Sequence, residues 1–403
     1  MNPRGYGNSK ILSILIALWI VLGFLTVPAV IVAAPSGDPV VLGAVISLTG
    51  RDAAFGQECL AGLNVAVDEA NAEGGIQNRP IALQVYDDRS NPILAAEGVR
   101  TLVRDFSPIA IVGSNTSMVT AAAAVAAQNV GVPLVVPEAT NPAISAIGDW
   151  IYRVCFLDPD MGNALATFAY HELGVRKVAV LLEEKHDYTA SLAKYFHDRF
   201  TELGGEIVIQ MSYPAGDTVF DDAIRVFKGK KADAIFVSGF YPEAGAIMAA
   251  ARREKLDVAF LGGDGWESDQ LFDIAGDAIN DKSRAYIASH FSAEVQRVKV
   301  RGFVDTFQDR YGRRPNTSSA LGFDAAGTIL TAAEQATDLS PAAMKAALLG
   351  ARQEGVTGHI TIGPSRNPVK KVIILQARPG HRFAFVQSVL GTSPETSLES
   401  SKP

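Results

Sequence analysis

The stretch that decides the fold is Ile109-Ala110-Ile111-Val112-Gly113-Ser114-Asn115-Thr116-Ser117-Met118-Val119-Thr120. A short apolar run ends on glycine, a small polar tip follows, and an alanine-rich helical segment begins near Ser117. A continuous apolar run of this length reads as a strand buried on both faces, the mark of a parallel sheet covered by helices. The same order recurs twice. Residues 133–136 lead into Pro137-Glu138-Ala139-Thr140, and residues 258–261 lead into Gly262-Gly263-Asp264-Gly265-Trp266. Open α/β sheets bind ligands outside the carboxyl ends of their strands, where these tips lie. The first two tips offer hydroxyls and free backbone N–H groups, which suit an anion. The third offers a carboxylate, which suits a cation. The expected ligand carries both charges.

Working outward, β-type runs alternate with helix-period segments from residue 40 onward. Residues 41–48 read as a first strand and 56–73 as a helix, with Leu60, Leu63, Val67 and Ala70 on one face and Gly74-Gly75 as its stop. Residues 81–86 form the next strand, and Asn91-Pro92 opens the next helix. After 151–156 a second series begins, with strands at 177–182, 206–212, 234–239 and 258–261. Helices are expected between them near 163–173, 188–203, 220–228 and 242–254. Residues 285–291 read as a strand leading back to the first lobe, followed by helices near 293–311, 319–336 and 341–349. The strands at 360–362, 371–376 and 383–386 are expected to close the second lobe. The expected organisation is therefore lobe 1 from 38–157 plus 288–350, lobe 2 from 158–287 plus 351–390, and a hinge where the chain crosses between them.

With 403 residues, two lobes of ordinary size are the natural expectation. A net charge of −7 argues against nucleic acid, because neutralising phosphates needs a basic excess. Cys59 and Cys155 are the only cysteines and have no metal or redox spacing, so two buried free thiols are expected. The six histidines show no paired ligand spacing and are expected mostly on surfaces; neither a metal nor a cofactor is expected. At the N-terminus, Arg4 and Lys10 precede an apolar run at 11–34 that exits through Ala33, Ala34 and Ser36. Residues 1–36 thus read as a signal peptide or a retained anchor, and both readings export the rest of the chain. Residues 391–403, rich in Ser, Thr, Pro and Glu, are expected to be a disordered tail.

Each site residue has two readings. Ser117 stands at a helix start, where orphan N–H groups and the dipole attract an anion, or it caps its own helix. Thr140, before Asn141-Pro142, is a similar case. Asp264, flanked by glycines, is either a counter-charge for an ammonium or a turn aspartate bonded to its own backbone. Tyr188 and Phe240 follow strand ends and either cover a ligand or cap the lobe edge. The adjacent acids Glu183-Glu184 and Asp221-Asp222 read as solvated surface. No phosphate-binding loop, nucleophile elbow or dinucleotide fingerprint is present in the sequence. Of the histidines only His186 falls in a predicted cleft loop, where it is expected to be solvated.

Taken in order, several stretches resemble the periplasmic solute-binding proteins of branched-chain amino-acid ABC transporters, the leucine-binding family. They are Leu48-Thr49-Gly50 through Gly56, Ala61-Gly62 through Asn71-Ala72-Glu73-Gly74-Gly75-Ile76, Tyr86-Asp87-Asp88, and Ile111-Val112-Gly113-Ser114. Pro137-Glu138-Ala139-Thr140-Asn141-Pro142, Phe240-Tyr241-Pro242-Glu243-Ala244-Gly245 and Phe323-Asp324-Ala325-Ala326 complete the set. The resemblance implies a type I periplasmic binding fold, with two Rossmann-like α/β lobes joined by a three-segment hinge. It implies that Ser117, Thr140 and amides near Ala139 hold a ligand carboxylate, that Asp264 pairs with the ammonium, and that Tyr188 contacts it from the second lobe. Phe55, Phe240 and Phe323 would wall the pocket. Asn115, Thr116 and Glu138 depart from the small or apolar residues of aliphatic binders. The ligand is then either more polar than leucine (a polar or basic amino acid, an amide, a urea-like molecule), or Glu138 turns aside onto other donors. Ser90 and Thr116 stand where some relatives carry a disulfide. The expected protein is an exported, non-catalytic monomer that hands an amino acid or a polar analogue to an ABC permease. The alternative is a ligand-sensing clamshell acting through a partner receptor.

Overall fold

The computed structural model describes residues 35–390. The apolar run at 11–34 and the tail at 391–403 lie outside the described residues. The first half of the chain runs β1 (Val40–Ile46), α1 (Ala53–Ala72), β2 (Ile81–Asp87), α2 (Pro92–Phe106), β3 (Ile111–Gly113), α3 (Ser117–Val130), β4 (Leu134–Val136), α4 (Ala143–Ala146) and β5 (Ile151–Arg153). These strands form a parallel sheet in the order β2-β1-β3-β4-β5. The second series is α5 (Asp158–His171), β6 (Lys177–Glu183), α6 (Asp187–Glu202), β7 (Glu206–Tyr213), α7 (Asp221–Gly229), β8 (Ala234–Ser238) and α8 (Tyr241–Arg253). It continues through β9 (Ala259–Gly262), a 3-10 turn (Asp264–Trp266), α9 (Gln270–Ala275) and β10 (Ala285–Ser289). Its strand order, β7-β6-β8-β9-β10, repeats that of the first sheet.

The chain then returns to the first lobe through α10 (Val298–Tyr311), α11 (Thr317–Gln335), α12 (Pro341–Leu348) and the hairpin β11 (Arg352–Gly355) and β12 (Gly358–Thr361). It crosses once more to add β13 (Lys371–Arg378) and β14 (Arg382–Leu390) antiparallel to the second sheet. Three segments therefore cross between lobes: after β5, after β10 and before β13. The hairpin corrects the expectation that residues from 351 onward belong to lobe 2. Val356, Ile360 and Ile362 bury in the first lobe's core beside α11. The Asp324 carboxylate on α11 fixes the hairpin by accepting the backbone N–H of Val356 and of Thr357, each at 2.8 Å.

Local sequence accounts for these elements. The Asn91 side chain caps α2 by accepting from Ile93 N at 2.8 Å, with Pro92 at the first helical position. Helices α1 and α11 meet through glycines: a Cβ on Gly62 would lie 1.8 Å from the Ser319 carbonyl oxygen, and one on Gly322 2.3 Å from that of Cys59. Only backbone without side chains approaches so closely. The inner strands β1, β3, β4, β8, β9 and β10 are buried on both faces while the edge strands β2, β7 and β14 are partly exposed, and each fully buried Leu, Ile or Phe contributes about 1.5–3 kcal/mol. Cys59 and Cys155 are both buried free thiols. Among the described residues no helix is long and apolar enough to cross a membrane.

Candidate functional site

The carboxyl ends of β3 and β4 face those of β6, β8 and β9 across a narrow cleft that is partly open to solvent. Phe55, Asn115, Thr116, Ser117, Glu138, Ala139, Thr140, Tyr188, Phe240, Asp264 and Gly265 line it. Ten of these are the residues singled out from the sequence. Phe323 is not among them. It sits on the core face of α11, with its ring 4.8 Å from that of Phe303, because the helical period turns this position away from the cleft. The start of the same helix does reach the site, through Ser318.

On the first lobe, α3 begins at Ser117 with no side-chain cap. The residue before it, Thr116, turns its hydroxyl onto the Asp52 carboxylate at 2.7 Å, and Ser117 Oγ accepts only a long 3.4 Å contact from Asn141 N. The capping reading of Ser117 therefore does not hold, and the positive end of α3 faces the cleft. Asp52 also donates its backbone N–H to Ser90 Oγ at 2.9 Å. Ser90 and Thr116, at the positions where some relatives carry a disulfide, are thus both tied to Asp52. The Thr140 tip is held from behind by Arg153, fully buried at the end of β5, whose guanidinium donates to the carbonyls of Ala139 and of Asn141.

The second lobe presents Asp264. Trp266, fully buried, anchors the turn, and a Cβ on Gly262 would strike its ring. Tyr188 donates its hydroxyl to Asp264 Oδ1 at 2.8 Å, and His290 Nε2 lies 3.0 Å from Oδ2. Burial holds His290 well below the usual imidazole range, so the ring is neutral. Against an ionised Asp264 its proton sits on Nε2. The imidazole stacks on Phe156 with centroids 3.5 Å apart, joining two of the crossing segments. Nothing local in the chain marks His290, since its partner lies 26 residues away. His186 is also buried, 5.1 Å from the Phe240 ring, and not solvated as expected.

Desolvation pushes the Asp264 carboxyl up to about 7 and the Glu138 carboxyl up to about 8, and the charge of Asp264 adds to the rise at Glu138. No cationic side chain lines the cleft to offset them. Glu138 accepts from Asn115 Nδ2 at 3.0 Å and from Ser318 Oγ at 2.6 Å. Across the cleft mouth, Arg51 of the first lobe donates to both oxygens of Glu183 at 2.6 and 2.5 Å, reaches Glu243 at 3.3 Å and lies over the Phe240 ring. Glu183 is therefore buried and paired, which corrects the surface reading; Glu184 beside it is exposed.

The chain matches the family model described as periplasmic binding protein over residues 39–382. It is 27% identical over 312 residues to a Leu/Ile/Val-binding protein homolog of Brucella abortus, covering 75% of this chain and 80% of that one. It is also similar to the solved structure of the branched-chain amino acid transporter substrate binding protein LivJ from Streptococcus pneumoniae in complex with isoleucine. That match has 31% identity and a TM-score of 0.82, over 88% of this chain and all of that one. The leucine binding protein LivK from Thermotoga maritima superposes with a TM-score of 0.81 at 28% identity, over 89% and 99% of the two chains. Two lobes of repeated topology, three crossings and a cleft between strand ends agree with these matches: the chain belongs to the periplasmic binding protein family.

Proposed function

We propose that this protein is an extracytoplasmic solute-binding protein of an ABC importer that captures an amino acid or a close analogue by lobe closure. The observation that carries the reading is the pairing of an uncapped helix start at Ser117 with a buried carboxylate at Asp264 across one small cleft. The ligand carboxylate meets the Ser117 and Thr140 hydroxyls and the first amides of α3; the ammonium meets Asp264, oriented by Tyr188 and His290. Phe55 and Phe240, 6.1 Å apart, come from opposite lobes and cover it. Charge-assisted hydrogen bonds contribute about 1.5–3 kcal/mol each. Four or five of them are consistent with micromolar affinity, about −8 kcal/mol, after ordering costs. Isoleucine bound to the Streptococcus pneumoniae relative supports the ligand class. Export through residues 1–36 and delivery to a membrane permease complete the reading.

The test is a thermal-shift panel of L-amino acids, each beside its decarboxylated amine and its deaminated acid. At least one amino acid should raise the midpoint strongly while neither of its one-charge counterparts does. A deaminated acid that stabilises as well as its amino acid would remove Asp264 from ligand recognition.

A further inference from the structure

The end of the cleft formed by Asn115 and Glu138 is built from acceptors. Asn115 is 2% exposed and lines the cavity; its Nδ2 is committed to Glu138, and its Oδ1 has no hydrogen-bond partner. Each Glu138 oxygen receives one donor, and once a cationic or N–H-bearing ligand draws the carboxyl into its ionised form each can accept a second. A purely structural role for Glu138, tying the β4 tip to α11 through Ser318, accounts for Oε1. It leaves the Asn115 oxygen unexplained, and buried acceptors are paired in the great majority of folded proteins.

We propose that Asn115 and Glu138 select the ligand's side chain, so that the cleft takes an amino acid ending in an N–H donor (an amide, an ammonium or a guanidinium) and not a branched aliphatic one. The inference rests on the zwitterion reading above, which places the α-carboxylate and α-ammonium on other residues and leaves the side chain to this end. A donor-bearing side chain satisfies Asn115 Oδ1 and shares the Glu138 carboxylate. An aliphatic one leaves the oxygen dry and unpaired, and sites built to hydrogen-bond a substrate group discriminate strongly against analogues lacking it.

The experiment is calorimetric titration of the protein with glutamine, asparagine, lysine, ornithine, arginine, leucine, isoleucine and valine. A donor-bearing amino acid should bind at least tenfold tighter than any aliphatic one, and amide against cationic ligands identifies the donor. Asn115→Leu, which keeps the forked shape without polar atoms, should shrink that preference. Glu138→Gln, nearly isosteric, is the milder second variant and should shrink it too. Asp264→Asn should weaken every ligand alike. Leucine, isoleucine or valine binding the unmodified protein as tightly as the best donor-bearing ligand, or a preference unmoved in both variants, would overturn the inference while leaving the zwitterion grip standing. Failure of every amino acid to bind would overturn the grip and this inference with it.

Discussion

Asp264 is a carboxyl whose charge is suppressed by burial. Its carboxyl, pushed up to about 7 by burial, is ionised above that pH and protonated below it. An ammonium pairs only with the ionised form. Affinity for an amino acid should therefore weaken as pH falls below about 7, by up to tenfold per unit for this one group. Titration calorimetry at several pH values reads it, and affinity that strengthens on acidification would contradict the assignment. In Asp264→Asn the slope should lose one proton and the affinity about 2–5 kcal/mol, because a buried ammonium is left unpaired. Residues at strand tips were legible because strand, tip and helix start are local: Ser117, Thr140, Tyr188, Phe240 and Asp264 all line the cleft. His290 and Arg153 were not, since what makes them part of the site is a partner distant in sequence. Phe323 failed for the opposite reason: an aromatic in a helix whose residues are mostly buried faces the core by default.

At the level of elements, the cleft mouth is latched by the segment before α1 against the end of β6 and the start of α8. Arg51 bridges Glu183 and Glu243, both nearly buried, while remaining one-third exposed itself. These contacts exist only when the lobes meet, so they favour closure. Replacing Arg51 by Gln should shift the protein toward open forms and weaken ligand binding by about 1–2 kcal/mol, below the full range for hydrogen bonds to charged groups because Arg51 is partly screened by solvent. Small-angle scattering of the ligand-free variant should give a larger radius of gyration than the parent. An unchanged radius and unchanged affinity would mean that the bridge is incidental. The sequence did not announce this latch, because Glu183-Glu184 has the look of solvated surface until a cation from the other lobe is set beside it. The boundary at 351 was misread for a related reason. Short strands carry no mark of which lobe they join, and here Asp324 decides by holding β11 and β12 against α11.

Across the whole molecule, five buried carboxyls gather near the cleft and hinge. Burial raises Asp52 to about 6, Asp158, Asp264 and Glu267 to about 7, and Glu138 to about 8. Their unfolded values lie near 4, so the native state binds more protons than the unfolded chain throughout the interval between. Ligand-free stability should therefore fall as pH rises from about 6.5 to 8, a window above that in which buried His186 and His290 take up protons on unfolding. Scanning calorimetry should show the midpoint falling over this range without ligand, and the stabilisation by ligand growing over the same range. A ligand-free midpoint that climbs instead would mean that these acids are ionised and already paired. The two-lobed frame itself was legible, since two successive α/β series run along the chain, and the structure repeats one strand order in both sheets. The central claim is that this frame grips a zwitterion by its two ends, and a crystal structure with the tightest-binding amino acid tests it most directly. The ligand carboxylate should lie within hydrogen-bond distance of Ser117 and Thr140 and its ammonium on Asp264, with Tyr188 beside it. A ligand bound elsewhere, or one bound in the cleft with its ends reversed, would contradict the account.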